Sequence, residues 1–236
     1  MSTTQPETAA SHLREELAAY FLTVPTYREQ TPEQQEIYLA RLCELGDLEQ
    51  REILQAAGHH RPLTWGNPVP LIQNLLTAAQ RLAAGRGQPL LVFPAKETAF
   101  SFTAMMHPRL LSVGVCTLLR IAYEAAPREP IWIRLQEQES CLTITATAAK
   151  PPISSPSWQV IQECAALHKG SPAQCGNTYG FSIAREAEPT EQIKRALCPT
   201  AEELCRDTLS PVWTAFYCRL SSNSSPLKGE PDEEEL

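Results

Sequence analysis

Apolar residues recur at helical intervals near the start of the chain. From Ala9 to about Val24, Leu13, Leu17, Ala18, Tyr20, Phe21 and Val24 fall at helical intervals, and Pro25 ends or bends the helix they predict. Thr31-Pro32-Glu33-Gln34 is a helix start, with Thr31 as cap, Pro32 in the first turn and Gln34 placed to complete a capping box. Ile37, Tyr38, Leu42, Leu45, Leu48 and Ile53 continue that helix, which should stop near Gly58. Two such helices make an antiparallel hairpin, and neither buries its stripe alone. The natural solution is self-association into a four-helix bundle.

After a connector at His59–Gly66, Asn67-Pro68 opens a third helix, which carries Val69, Ile72, Leu75, Leu76, Ala79 and Leu82 and ends at Gly85 or Gly87. Pro89–Phe93 reads as a short buried strand, with Thr98–Phe102 expected to pair beside it. His107-Pro108 starts a helix to Ala126 that is apolar nearly all round, which predicts a central, covered position. Residues 130–137 and 141–147 alternate as a strand hairpin turning at Glu139-Ser140. Ser157–Leu167 returns to helix, closed by His168-Lys169-Gly170, and Tyr179–Arg185 is a strand. Thr190–Arg206 is helical in character, and Val212–Cys218 reads as a last strand. The predicted class is α+β: an N-terminal helical hairpin, then an α/β sandwich with a mixed sheet covered by helices on one face. By segment, residues 1–8 are expected to be disordered, 9–60 the hairpin, 61–220 the sandwich with a C-terminal extension, and 221–236 a solvated acidic tail.

Composition changes this picture little. The chain has 236 residues, 43% apolar and 20% charged, enough for a proper core. Of the net charge of −7, Glu230, Asp232, Glu233, Glu234 and Glu235 against Lys228 put −4 in the tail. The nearly balanced body has no basic stripe, which argues against a nucleic-acid partner. No apolar run is long enough to span a bilayer, and the start of the chain lacks a signal peptide's apolar region, so the expected location is cytoplasmic. Eight cysteines without a C-x-x-C pair, and His59-His60 beside none of them, predict reduced, mostly buried thiols and no metal site.

Two segments carry a family resemblance. Residues 110–135, LLSVGVCTLLRIAYEAAPREPIWIRL, resemble the apolar helix bearing N-L-L-x-N-A and the following strand of sensor histidine kinases. Residues 158–185, WQVIQECAALHKGSPAQCGNTYGFSIAR, resemble the closing segment of the same domains, with a Gly-containing turn leading into a strand. Together with the element order, the resemblance spans roughly residues 9–186. It implies a phosphoacceptor-type hairpin followed by a Bergerat-type (GHKL) ATPase sandwich, here degenerate.

The same comparison implies that the nucleotide chemistry is gone. The two asparagines that help hold magnesium and phosphates fall on Thr117 and Ile121. Threonine is a weak substitute, and isoleucine neither donates nor accepts. The D-x-G motif, whose aspartate receives the adenine amino group, falls on Ala148-Ala149-Lys150. Only the short, Pro- and Ser-rich Pro151–Ser157 stands where relatives carry a long glycine-rich lid. No ATP or other cofactor is expected.

In the phosphoacceptor box the ungapped match puts Ser11 at the histidine and His12 one place along, about 100° round the helix. The surrounding residues leave little else to catalyse with. His168 reads as a helix end, Glu124 as a solvated or paired edge charge, and Asp207–Pro211 as a turn with no histidine placed to complete a nucleophilic set.

The leading expectation is a non-catalytic regulatory or scaffold protein of bacterial two-component-type signalling. It would be homodimeric through the hairpin, with a receiver domain or another kinase as protein partner. The alternatives are ATP-independent phosphotransfer through His12 and a divergent active kinase.

Overall fold

The computed structural model describes residues 9–23, 30–56, 62–93, 102–127, 129–147, 155–187 and 198–222. Expectations about residues 1–8, Val24-Pro25, Gly58, His59-His60, 98–101, Ala148–Ser154, 190–197 and most of the tail lie outside them.

Two helices come first, α1 (Ala9–Thr23) and α2 (Pro32–Gln55). The α2 start is capped as expected: Thr31 Oγ1 accepts from the Gln34 amide, and Gln34 Oε1 accepts from the Thr31 amide at 2.9 Å. The pair runs antiparallel, since Ala10 N donates to Glu52 and Arg14 pairs with Glu49 at one end, while Arg41 pairs with Glu16 and Tyr20 stacks on Tyr38 at the other.

The body contains β1 (Thr64–Gly66), α3 (Pro68–Ala84), β2 (Leu90–Phe93), β3 (Ala104–Met106) and α4 (Pro108–Ala125). There follow β4 (Ile131–Glu137), β5 (Cys141–Thr147), α5 (Pro156–Leu167), β6 (Pro172–Cys175), β7 (Thr178–Ala184) and α6 (Ala201–Arg206). Five strands form one mixed sheet in the order β2-β4-β5-β7-β6, with β2 parallel to β4 and the remaining pairs antiparallel. The strict alternation of burial in β4 and β5 sends Ile131, Ile133, Leu135, Leu142, Ile144 and Ala146 into the core. The opposite face exposes Trp132. Helices α3, α4 and α5 cover the apolar face, giving the mixed sheet with helices on one side that the sequence predicts.

The structure departs from the sequence reading in three places. A strand not expected from the sequence, Ala104–Met106, pairs with β1, which lies inside the supposed connector. β6 is an edge strand with a Pro-initiated, mostly exposed sequence that carries no apolar pattern. The last strand is no strand: Val212–Tyr217 forms a π-helix that runs into α7 (Cys218–Ser222). Its Val, Trp, Phe and Tyr side chains suit a strand, but all six residues are buried, surrounded by α2, α3 and α4. A segment enclosed by helices on several sides has no sheet edge to join and satisfies its own backbone instead.

This C-terminal segment also changes what covers the hairpin. The α2 stripe packs within the chain, on α5, the π-helix and α7, leaving Leu42 and Leu45 with no exposed surface. Burying it does not require a second hairpin.

Candidate functional site on the outer face of α4

The site suggested by the sequence centres on α4. His107 caps this helix, its Nδ1 accepting from the Leu110 amide at 3.1 Å, and Pro108 occupies the first turn. Leu110 through Leu119 are all buried. One side rests on β4 and β5; the other meets α2, α5 and the π-helix.

Thr117 and Ile121 lie on this helix with 0% and 3% exposure. Thr117 Oγ1 accepts a hydrogen bond from Gln50 Nε2 of α2 at 3.4 Å, and Gln50 Oε1 accepts from Ser157, at the start of α5, at 3.5 Å. The carboxamide therefore bridges α4 and α5 directly over Thr117. Ala148 and Lys150 lie outside the described residues, although the register brings the neighbouring Ala146 and Thr147 opposite Tyr179 and Thr178. Tyr179 is fully buried, edge to face with Trp158 at 6.3 Å between ring centres. Burial is the main reason its hydroxyl is pushed well above the ordinary tyrosine value.

Gln50 is one of four aligned contacts. Cys43, Gly46, Asp47 and Gln50 share one face of α2 by their i, i+3, i+4, i+7 spacing. Cys43 meets Cys218. Gly46 abuts the π-helix so closely that a Cβ there would lie 2.1 Å from the Thr214 carbonyl oxygen. Asp47 receives Arg120 of α4 at 2.9 Å and Arg219 of α7 at 2.6 Å. Burial alone would raise the Asp47 carboxyl, but the hydrogen bonds from Arg219 and Arg120 outweigh it and hold the group below its usual range. Beside this face the Glu49 carboxylate, 2% exposed, is bracketed by Arg14 of α1 and Arg109 of α4, the latter at 2.8 Å. Arg14 also donates to the Leu209 carbonyl at 3.0 Å.

An ATP–magnesium pair would need carboxamide or comparable oxygen donors turned toward open space on α4. There the Thr117 hydroxyl is covered and engaged, and Ile121 is apolar and buried. Glu124 is an edge charge paired with Arg120 at 2.8 Å. No group of three or more metal-binding side chains occurs among the described residues.

His168 acts as a helix end. Its Nδ1 hydrogen-bonds the Cys164 carbonyl at 2.6 Å, and its Nε2 accepts from the His107 amide at 3.1 Å, which fixes a neutral ring. His12 is exposed on α1, away from any of these contacts. The Asp207–Pro211 stretch is a turn, Ser210 Oγ donating to the Leu204 carbonyl at 3.0 Å. Sequence reasoning singled out Thr117 and Ile121 but not Cys43, Gly46, Asp47, Glu49 and Gln50. A glycine inside a well-capped helix was the available signal, since it marks a close approach.

No family model and no curated protein matches the chain. Solved structures do resemble it. The catalytic domain of the histidine kinase ThkA is 15% identical, with 54% of this chain and all of that one covered, at a TM-score of 0.44. The cytoplasmic segment of the histidine kinase QseC is 16% identical over 60% of this chain and 95% of that one, at 0.46. The Acinetobacter baumannii histidine kinase AdeS is 12% identical over 74% and 93%, at 0.47. The likeness is one of fold. No helix among the described residues is long and apolar enough to cross a membrane.

Proposed function

We propose that this chain is a non-catalytic regulatory or scaffold protein of two-component-type signalling, built on a histidine-kinase-type scaffold that does not bind ATP. The observation that carries the reading is Gln50 lying across Thr117 and Ser157, with Asp47 and Glu49 gripping arginines of α4 on either side. A helix of the chain itself covers the face that a nucleotide would need. Its partner is a protein, a receiver domain or a kinase. The hairpin's free side offers the surface: an apolar groove of about 500 Å³ between α1 and α2, lined by Leu17, Tyr20, Ile37 and Tyr38 and edged by Glu16 and Arg41. Homodimerisation would use the same side, because the other side of α2 is already covered.

Isothermal titration with magnesium and ATP tests the reading. No heat of binding is expected, and micromolar affinity overturns it.

A second reading, phosphotransfer without ATP, is favoured by one observation, the exposure of His12 on α1. Incubation with a phosphorylated receiver domain separates the two. Label that appears on the protein and disappears in His12→Ala supports phosphotransfer; no label supports the scaffold role.

A further inference from the structure

We propose that Cys43 of α2 and Cys218 of α7 are a thiol-oxidation site at which a hydroperoxide joins the two helices by a disulfide. The geometry comes from the helix crossing. Gly46 meets the Thr214 backbone with no room for a Cβ, so α2 and the C-terminal segment touch there. Cys43 lies one turn before Gly46 on the same face. Cys218 lies one turn after Thr214, and its thiol donates to the Thr214 carbonyl at 3.2 Å. The two thiols are therefore neighbours across the crossing of α2 and α7. Disulfides need that kind of approach, with Cα atoms about 4.4–6.8 Å apart.

The two sulfurs are suited to different steps. Cys43 is half-buried and within reach of a small oxidant, whereas Cys218 is 1% exposed. The neighbouring Cys218 thiol and the Arg219 guanidinium favour the Cys43 thiolate against burial and the Asp47 carboxylate, leaving the thiol below its ordinary value. Burial pushes the Cys218 thiol up, so it stays protonated and unreactive until Cys43 has been oxidised.

In the first step the Cys43 thiolate attacks one oxygen of hydrogen peroxide. The O–O bond breaks, hydroxide leaves and takes a proton to become water, and Cys43 becomes a sulfenic acid. In the second step Cys218 gives up its proton and attacks the Cys43 sulfur. The S–S bond forms, the S–O bond breaks, and the departing oxygen leaves as a second water. Two thiols and one peroxide thus give one disulfide and two waters, and a small dithiol reverses the change.

The bond would fix α2 in place over α4. This inference does not depend on the nucleotide reading, since the two cysteines would couple whether or not ATP binds.

The test uses the full chain. It is treated with a small molar excess of hydrogen peroxide, quenched with N-ethylmaleimide, digested with trypsin and mapped by mass spectrometry. Cleavage after arginine leaves Cys43 alone in peptide 42–51 and Cys218 alone in peptide 207–219. The expected product is these two peptides joined, lighter by two hydrogens and separated again by dithiothreitol. In Cys218→Ser, Cys43 should accumulate as a sulfenic acid trapped by dimedone. Recovery of both peptides alkylated or over-oxidised without the joined species overturns the proposal, as does Cys43 joined equally to other cysteines. Should the variant fail to fold, the wild-type map decides alone.

Discussion

Helix α4 meets the sheet on one side and, on the other, the π-helix, α5 and side chains of α2, and its contacts with the sheet and with α2 are built from different materials. Toward the sheet its neighbours are Ile133, Leu135, Leu142 and Ile144, all at most 3% exposed. Toward α2 the contacts are polar: Gln50 to Thr117, Asp47 to Arg120 and Glu49 to Arg109. Apolar packing is non-directional and tolerates small shifts, whereas a buried carboxylate between two arginines specifies one register. The sheet side therefore supplies most of the stability, and the α2 side fixes where the hairpin sits.

The largest expected difference comes from two glycines, one inside the sheet and one where α2 crosses the π-helix. A Cβ at Gly180 in β7 would lie 1.9 Å from the Ile144 carbonyl oxygen, inside the central strand pair. Gly180→Ala must separate β5 from β7 and is expected to cost about 3 kcal/mol or more. Gly46→Ala meets an equally rigid backbone oxygen at 2.1 Å. Here, however, the strain can be relieved by lifting α2. Urea unfolding followed by circular dichroism should show a lowered single transition for Gly180→Ala. Gly46→Ala should expose α2 amides to hydrogen exchange before the sheet opens. Equal exchange in both regions of Gly46→Ala would erase the distinction.

Glu49 comes next. Glu49→Ala leaves Arg14 and Arg109 without their shared carboxylate. Both guanidinium side chains keep solvent access, at 32% and 59% exposure, so the loss falls short of a fully buried pair, at about 1–3 kcal/mol. The deficit should shrink in high salt, because what remains is exposed charge. A salt-independent deficit would mean that packing, not charge, holds this contact.

The two contacts also differ in how far the sequence reveals them. The alternation of Ile131–Glu137 and Cys141–Thr147 and the all-apolar α4 follow from local pattern, because each residue's neighbours lie on the same element or one turn away. The Thr31–Gln34 box is equally local. The α2 side is not. Gln50 and Thr117 are 67 residues apart, and nothing near Gln50 announces its partner. Val212–Tyr217 fails for a related reason: its side chains favour a strand, but the helices that enclose it decide its backbone. The burial of Thr117 and Ile121 follows from the apolar pattern of α4, while the α2 side chain that covers Thr117 does not.

His168 ties the sheet side to pH. Burial, opposed by its hydrogen bond to the Cys164 carbonyl, lowers its pKa below the ordinary value. The unfolded chain thus takes up this proton at a higher pH than the folded one. The contribution is fully present above about 6.5, the ordinary imidazole value, and is lost as the pH falls through the window below it. His168→Gln should start less stable at pH 7.5 and lose less on going to pH 5.5, as read from urea midpoints. Parallel pH profiles for the two proteins would show that the ring is not the group responsible.

The smallest expected change in stability belongs to Gln50, and it is the most informative about function. Gln50→Ala removes two long hydrogen bonds, at 3.4 and 3.5 Å, and leaves the Thr117 and Ser157 hydroxyls to find other partners. Net worth of such bonds is about 1 kcal/mol, so the protein should stay folded with a slightly lower midpoint. Opening this spot exposes a threonine and an isoleucine rather than a pair of carboxamides. Two effects are thereby separated: if α2 alone blocked the nucleotide, Gln50→Ala would gain affinity for magnesium–ATP, whereas if the α4 side chains have lost the chemistry, it would gain none. The expected result is none, because removing a cover does not supply the oxygen ligands that Ile121 lacks. Measurable ATP binding by the variant alone would transfer the whole effect to α2 and make the hairpin the element that closes the site.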